Sequence, residues 1–417
     1  MKKASILRRS MGWVATAFLM LTWFSPAQQA LRTLPDSITL TQGQASTLRL
    51  GGLSASGDAL TVTASGDETL ARAGAVTVVA QSPGTTELLL SILGIPVKRV
   101  EVQVSQDKRL IPGGQALGVA MRTQGVLVVG LSEAADGVCP AKECGLLPGD
   151  VIVSVDGQAI DTAERLTALT NAAGARPLSI AFTREGQPRT ATLTPHVDAS
   201  TGTARIGAWV RDSTAGVGTL SFYDPDTGRY AALGHAITDG DTGAVLTVSE
   251  GQVLRASIVA VQRGKSGTPG ELKGSFLREK ETLGDIRRNT ILGVYGTLDA
   301  PAVNPLYPDG LPIGLRDTVH TGAASILSTV DGGGVAEYAI EIVRVNPQSA
   351  PAPKSMVIRV TDPRLLEKTG GIVQGMSGSP IIQDGRIVGA VTHVFVSDPT
   401  QGYGLYVDWM LQEASAA

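Results

Sequence analysis

Apolar residues in this chain recur mostly at every second position over short runs, and long runs with a helical period are scarce. Between residues 34 and 104 the runs "SITLTQGQASTLRL", "ALTVTAS", "AVTVVAQ" and "TELLLSILGIPVKRVEVQV" are separated by Gly, Ser, Asp or Pro. Seven or so strands in this span predict a small sandwich-like β domain over residues 31–107. Strand-length runs return from residue 197 to 417, among them "GTLSFYDP", "RYAALGHAITD", "TILGVYGTL", "EYAIEIVRV" and "RIVGAVTHVFV". About ten strands there predict a double β-barrel.

The pattern changes between residues 108 and 196. In "GLLPGDVIVSVDGQAI" a turn leads into a strand over Val151–Val155 and an Asp156-Gly157 turn. Asp161 and Glu164 form a capping box for a helix reaching Ala173. This run resembles a PDZ domain. The resemblance implies that an extended peptide adds as a strand beside a glycine-containing loop. The loop is read as Gly114, Gln115, Ala116, Leu117 and Gly118, whose N–H groups would hold a terminal carboxylate.

Composition narrows the classes. The 417 residues carry 43% hydrophobic side chains, 50 glycines, 22 prolines and a net charge of −3. A mainly β protein of two to four domains follows, without the basic surface of a nucleic-acid binder. Four scattered histidines argue against a zinc cluster, and the two cysteines, Cys139 and Cys144, leave a local disulfide and two free thiols both open. Residues 1–30 place Lys2, Lys3, Arg8 and Arg9 before an apolar run from Met11 to Phe24. This reads as an export signal with a small-residue site at Ser25-x-Ala27, or as a retained membrane anchor. The remainder is expected to work outside the cytoplasm.

The candidate chemistry lies in "GIVQGMSGSPIIQDGRIVGAVTHVF". Ser377 sits in a G-x-S-G-x-P arrangement, followed by a strand, an Asp384-Gly385 hairpin turn and a second strand. That is the setting of the nucleophile in trypsin-like peptidases, with the N–H groups of Gly375 and Ser377 facing the oxyanion; Ser379 is the competing hydroxyl. A serine nucleophile needs a neutral imidazole. Of His196, His235, His320 and His393, His235 lies at a glycine-flanked strand end upstream of the serine. His393 is expected to line the primary specificity pocket. For the acid, spacing leaves Asp239, Asp241 and Asp362 open.

"LPDSITLTQGQ", "LIPGGQALGV", "GHAITD", "GIVQGMSGSPIIQDG" and "GAVTHVFVSDPTQGYG" together resemble the family of stage IV sporulation protein B serine peptidases, nearly end to end. The resemblance implies a His, Asp, Ser order, matched here by His235, Asp362 and Ser377, with no metal or organic cofactor. It further implies export across the forespore inner membrane, self-cleavage near the N-terminus, and cleavage of a membrane-bound regulator of an intramembrane metalloprotease. A non-catalytic PDZ scaffold at a membrane surface is the rival reading.

Overall fold

The computed structural model describes residues 108–134, 136–276 and 282–417, and in the N-terminal part the strands of residues 37–105. The segment read as an export signal or anchor lies outside the described residues. Among the described residues, no helix is long and apolar enough to cross a membrane. The chain divides into two compact units, Met1–Lys108 and Arg109–Ala417.

Among the described residues the first unit holds seven strands: β1 (Ser37–Thr41), β2 (Ala45–Arg49), β3 (Leu60–Ala64), β4 (Thr69–Arg72), β5 (Ala75–Val79), β6 (Gly84–Ile92) and β7 (Ile95–Ser105). They form a four-stranded sheet in the order β1-β7-β6-β3 and a three-stranded sheet in the order β2-β5-β4. Alternation along β6 and β7 sends Leu88, Leu90, Val100 and Val102 inward.

The second unit begins with β8 (Arg109–Pro112) and the 16-residue β9 (Ala116–Leu131). A helical turn, α1 (Pro140–Glu143), precedes β10 (Val151–Val155) and β11 (Gln158–Ala159). Then come helix α2 (Ala163–Ala173), β12 (Leu178–Arg184), β13 (Gln187–Leu193), β14 (His196–Val197) and β15 (Ala204–Arg205). The predicted strand at Val151–Val155 is present, and its hairpin turn has positive φ at both Asp156 (49°) and Gly157 (75°). The predicted helix is capped one residue later than expected: Thr162, not Asp161, accepts from the Arg165 N–H. The aspartate of "LLPGD" closes this module. Buried Asp150 takes two 2.7 Å bonds from the Arg184 guanidinium and one from the Leu147 N–H.

One sheet crosses from this module into the rest of the unit. Its spine is β16 (Ala208–Tyr223), which pairs with β9 from Ala208 through Thr219 and then with β17 (Arg229–Ala232). Beyond it lie β18 (Val248–Arg255), the hairpin β19 (Ser257–Gln262) and β20 (Glu271–Ser275), and β21 (Thr282–Asp285). β22 (Arg288–Thr290), β23 (Gly293–Thr297) and β24 (Leu311–Pro312) complete this half. The sheet runs β13-β12-β10-β9-β16-β17-β23-β22. Of the expected pair of barrels, this half is therefore an extended sheet continuous with the preceding module.

The other half closes. β25 (Gly322–Ser328), β26 (Ala336–Val345), β27 (Met356–Val360), β28 (Pro380–Gln383), β29 (Arg386–Phe395) and β30 (Asp398–Tyr406) form a barrel in the order β25-β26-β27-β30-β29-β28. Ile326, Ile340, Ile358, Ile381, Val391 and Leu405 fill it. Helix α3 (Pro363–Thr369) leads from β27 towards the serine loop, and α4 (Val407–Ser415) packs Trp409 and Met410 into the core. The halves meet at Gly378, whose φ is +98°; a Cβ there would stand 2.1 Å from the Thr219 carbonyl oxygen. Only glycine lets the two backbones approach this closely.

Candidate active site

Ser377 sits on the short loop between α3 and β28. Thr219 of β16 ties that loop to the other half: its N–H donates to the Ser377 carbonyl (3.0 Å) and its hydroxyl to the Gly375 carbonyl (2.7 Å). The Gly378 N–H donates a further 2.7 Å bond to the Val391 carbonyl of β29, and the Val391 N–H donates to the Ser379 carbonyl (2.9 Å). Ser377 is half-buried, whereas Ser379 is fully buried and its hydroxyl has no partner. Accessibility therefore favours Ser377 of the two hydroxyls. The N–H groups of Gly375 and Ser377 have no acceptor among the described residues.

His235 follows the end of β17, after two residues with positive φ, Leu233 (66°) and Gly234 (68°). Its Nδ1 lies 2.8 Å from the Ala236 carbonyl oxygen. A carbonyl only accepts, so Nδ1 carries the proton and Nε2 keeps its lone pair, the form a general base requires. Burial pushes the imidazole pKa below its usual value, against the smaller opposing pull of that carbonyl.

The structure brings Ser377, His235 and His393 onto one stretch of β29. The Ser377 hydroxyl donates to the Thr392 carbonyl at 2.7 Å, and the His235 ring stands 5.1 Å from the ring of His393. His235 and His393 share a cleft of about 720 Å³ with Gly216, Val245, Ile291 and Gln374. Burial, then the charge of His235 and that of Lys354, hold His393 down to about 4, so it is neutral over the working range.

Two expectations are corrected. Asp362 is not joined to His235. It is the N-cap of α3: one carboxylate oxygen accepts from the Arg364 N–H (2.9 Å) and Nε (3.0 Å), the other from Arg364 Nη2 (2.7 Å) and the Ala339 N–H (3.1 Å). The Arg364 guanidinium foremost holds its pKa down to about 2. Asp239 and Asp241 pair with Arg211, so among the described residues no carboxylate bonds to His235. The Ala236 carbonyl occupies the position a triad gives to its acid.

The second correction concerns Gly114, Gln115, Ala116, Leu117 and Gly118. These residues open β9 inside the large sheet. The Gly114 N–H donates to Leu220 O (2.8 Å), and Leu117 and Gly118 pair with β16 on one side and β18 on the other. With both edges paired, the loop has no free face for a peptide carboxylate. His196 and His320 stand apart from the cleft, beside Asp136 and Asp384. Cys139 and Cys144 are free thiols in the structure, donating to the Gly207 and Ala141 carbonyls.

Sequence reasoning missed the Thr219 stitch and Asn289, neither of which carries a local motif. Asn289 holds the loop after His235 through 2.8 Å bonds to the Ile237 N–H, the Ile237 carbonyl and the Leu246 carbonyl.

A base with a lowered pKa stays neutral further into acid. Activity is lost only as pH falls through that pKa, so kcat/KM against pH should hold below 6.5 before it drops. An acid limb centred at or above the ordinary histidine value would contradict the burial argument.

Comparisons with known proteins give both family matches and similar solved structures. The PDZ domain family matches residues 136–184. The PDZ domain of an SdrC-like protein from Listeria monocytogenes is 24% identical over 21% of this chain and 87% of its own, with a TM-score of 0.18. The Rv3671c protease from M. tuberculosis in its active form is 16% identical over 49% of this chain and 74% of its own, with a TM-score of 0.27. The HtrA-type protease AlgW with tripeptide is 14% identical over 48% and 56%, with a TM-score of 0.28. The comparison with curated proteins finds no match. The SpoIVB peptidase S55 family matches residues 202–411, half of the chain. The chain belongs to the SpoIVB peptidase S55 family and is a serine peptidase carrying a PDZ domain.

Proposed function

We propose that the protein is an exported serine endopeptidase of sporulation that works with a Ser377–His235 pair. The observation that carries this is that both residues meet adjacent positions of β29: the Ser377 hydroxyl bonds the Thr392 carbonyl, and the His235 ring stands beside His393 in the cleft those two histidines share. In the working cycle the Ser377 hydroxyl turns from the Thr392 carbonyl to His235 Nε2. Its oxygen attacks the scissile carbonyl while Nε2 takes the proton, and the N–H groups of Gly375 and Ser377 receive the oxyanion. His235 returns the proton to the leaving amine, and water then hydrolyses the acyl-enzyme. His393 faces the bound segment from beside His235 and selects the residue next to the cut.

The sporulation setting rests on family membership and on the basic-then-apolar N-terminus. In this reading the protein crosses the forespore inner membrane, trims its own N-terminal region, and then cuts a membrane-bound regulator that restrains an intramembrane metalloprotease. The test compares full-length wild type with Ser377→Ala by mass spectrometry over time. N-terminal shortening confined to wild type is expected. Equal shortening of both, or of neither, would support the scaffold reading.

A further inference from the structure

We propose that one extended substrate segment binds along the outer edge of β16, reaching from the PDZ module to the His235 cleft, so that the strand sets the distance between an anchored C-terminus and the cut. The inference deepens the peptidase reading and rests on it.

β16 pairs with β9 along one edge over Ala208–Thr219. Its other edge meets β17 only from Leu220 onward, and among the described residues Ala208–Gly218 have no strand partner there. A row of unpaired backbone groups is a template for a further strand. Both ends of this edge open into cavities. At the PDZ end, Ala208, Trp209 and Val210 face Leu166, Thr167 and Thr170 of α2 across a groove of about 850 Å³. At the other end, Thr214–Val217 line the cleft that holds His235 and His393.

Helix α2 is pinned at both of its ends, to β16 at its start and to β15 near its end. The Ala163 N–H donates to the Asp212 carboxylate (2.9 Å), and Asn171 accepts from the Ala204 N–H (3.0 Å). The groove is therefore held open. Exposed apolar side chains mark the same path: Val197 and Trp209 line the groove, and Val245 and Ile291 line the cleft, with Trp209 67% exposed. Exposed apolar side chains in both cavities give a bound segment surface to cover at each end.

Direction follows from the loop that opens β16. Gly207 has φ +75°, and a Cβ there would meet the Ser132 carbonyl oxygen at 2.9 Å. It lines the groove together with exposed Arg205, and it supplies the glycine-containing loop that Gly114–Gly118 does not. A terminal carboxylate held here sends the rest of the segment antiparallel to β16, with upstream residues entering the cleft. From Gly207 to Gly216 the strand rises ~3.3 Å per residue, which places the cut about eight to ten residues from the anchored end once the two bulges are allowed for.

The test digests a proteome-derived peptide library with the full chain and measures the distance from each cut to the peptide's C-terminus. A peak at about eight to ten residues is expected for free carboxylates. It should be lost when the library is C-terminally amidated, and lost in Thr167→Trp, which fills the groove. An even spread in wild type, or a peak that survives both changes, would overturn the proposal. A chain that cuts nothing would refute the peptidase reading instead. The docking is then judged on Ser377→Ala by hydrogen exchange, with the library peptide it retains most tightly on a column. Protection of amides at both 208–211 and 214–217 supports the shared edge; protection at one end only, or no peptide retained, overturns it.

Discussion

Replacing Ser377 with alanine is expected to lower cleavage by about 10⁴-fold or more while leaving the melting temperature close to that of wild type. The chemistry dictates the first half: with the oxygen gone, no acyl-enzyme forms, and only the oxyanion donors and binding remain. The structure dictates the second half. The hydroxyl makes a single bond, to the Thr392 carbonyl, from a half-buried position, and its loss should change stability by about 1 kcal/mol. The same change at Ser379 is expected to leave cleavage intact, because that hydroxyl is buried and unpartnered. Initial rates on an unfolded protein substrate, set beside thermal melts, check all three statements. Full activity in Ser377→Ala would remove the nucleophile.

The second large effect is at Asp362. Replacement by asparagine should lower stability by ~2–3 kcal/mol, since the cap loses its charge and puts an NH₂ group among donors. Both oxygens of Asp362 already accept from Arg364 and Ala339, so the folded fraction should cleave at nearly the wild-type rate. An acid that orients the catalytic histidine behaves in the opposite way, with stability kept and rate reduced ~10⁴-fold. Denaturant melts and kcat/KM on the same preparations separate the two. The pH dependence carries a further sign. The folded pKa of about 2 lies below the ordinary carboxylate value of 3.8, so the stabilisation is present above 3.8 and fades as pH falls towards 2. Asp362→Asn should remove that part of the acid sensitivity.

Much of this architecture was legible because its signals are local. The alternation in β6 and β7, the strand and turn of "VIVSVDG" and the hairpin of "PIIQDGRIV" each follow from residues a few places apart. The G-x-S-G-x-P arrangement was equally readable, because glycine at 378 answers a contact that no other residue could make. Pairing between distant strands was not readable. β9 looked like the peptide-binding strand of a PDZ domain because "GGQALGV" has the right composition. Its edges are covered by β16 and β18, which lie about a hundred residues downstream and carry no pairing code in their own pattern. The bonding of Asp362 was not readable for a related reason. Sequence order matched a triad, while Arg364, two places on, and Ala339 on a neighbouring strand claim its oxygens. A carbonyl such as that of Ala236 leaves no trace in side-chain composition at all.

The central claim, that Ser377 is a nucleophile made reactive by His235, is most directly tested by labelling the full chain with a fluorophosphonate and mapping the adduct by peptide mass spectrometry. The account predicts one adduct, on Ser377, formed at least about a hundredfold more slowly in His235→Ala. No adduct on wild type, an adduct on a different serine, or equal labelling with and without His235 would contradict it.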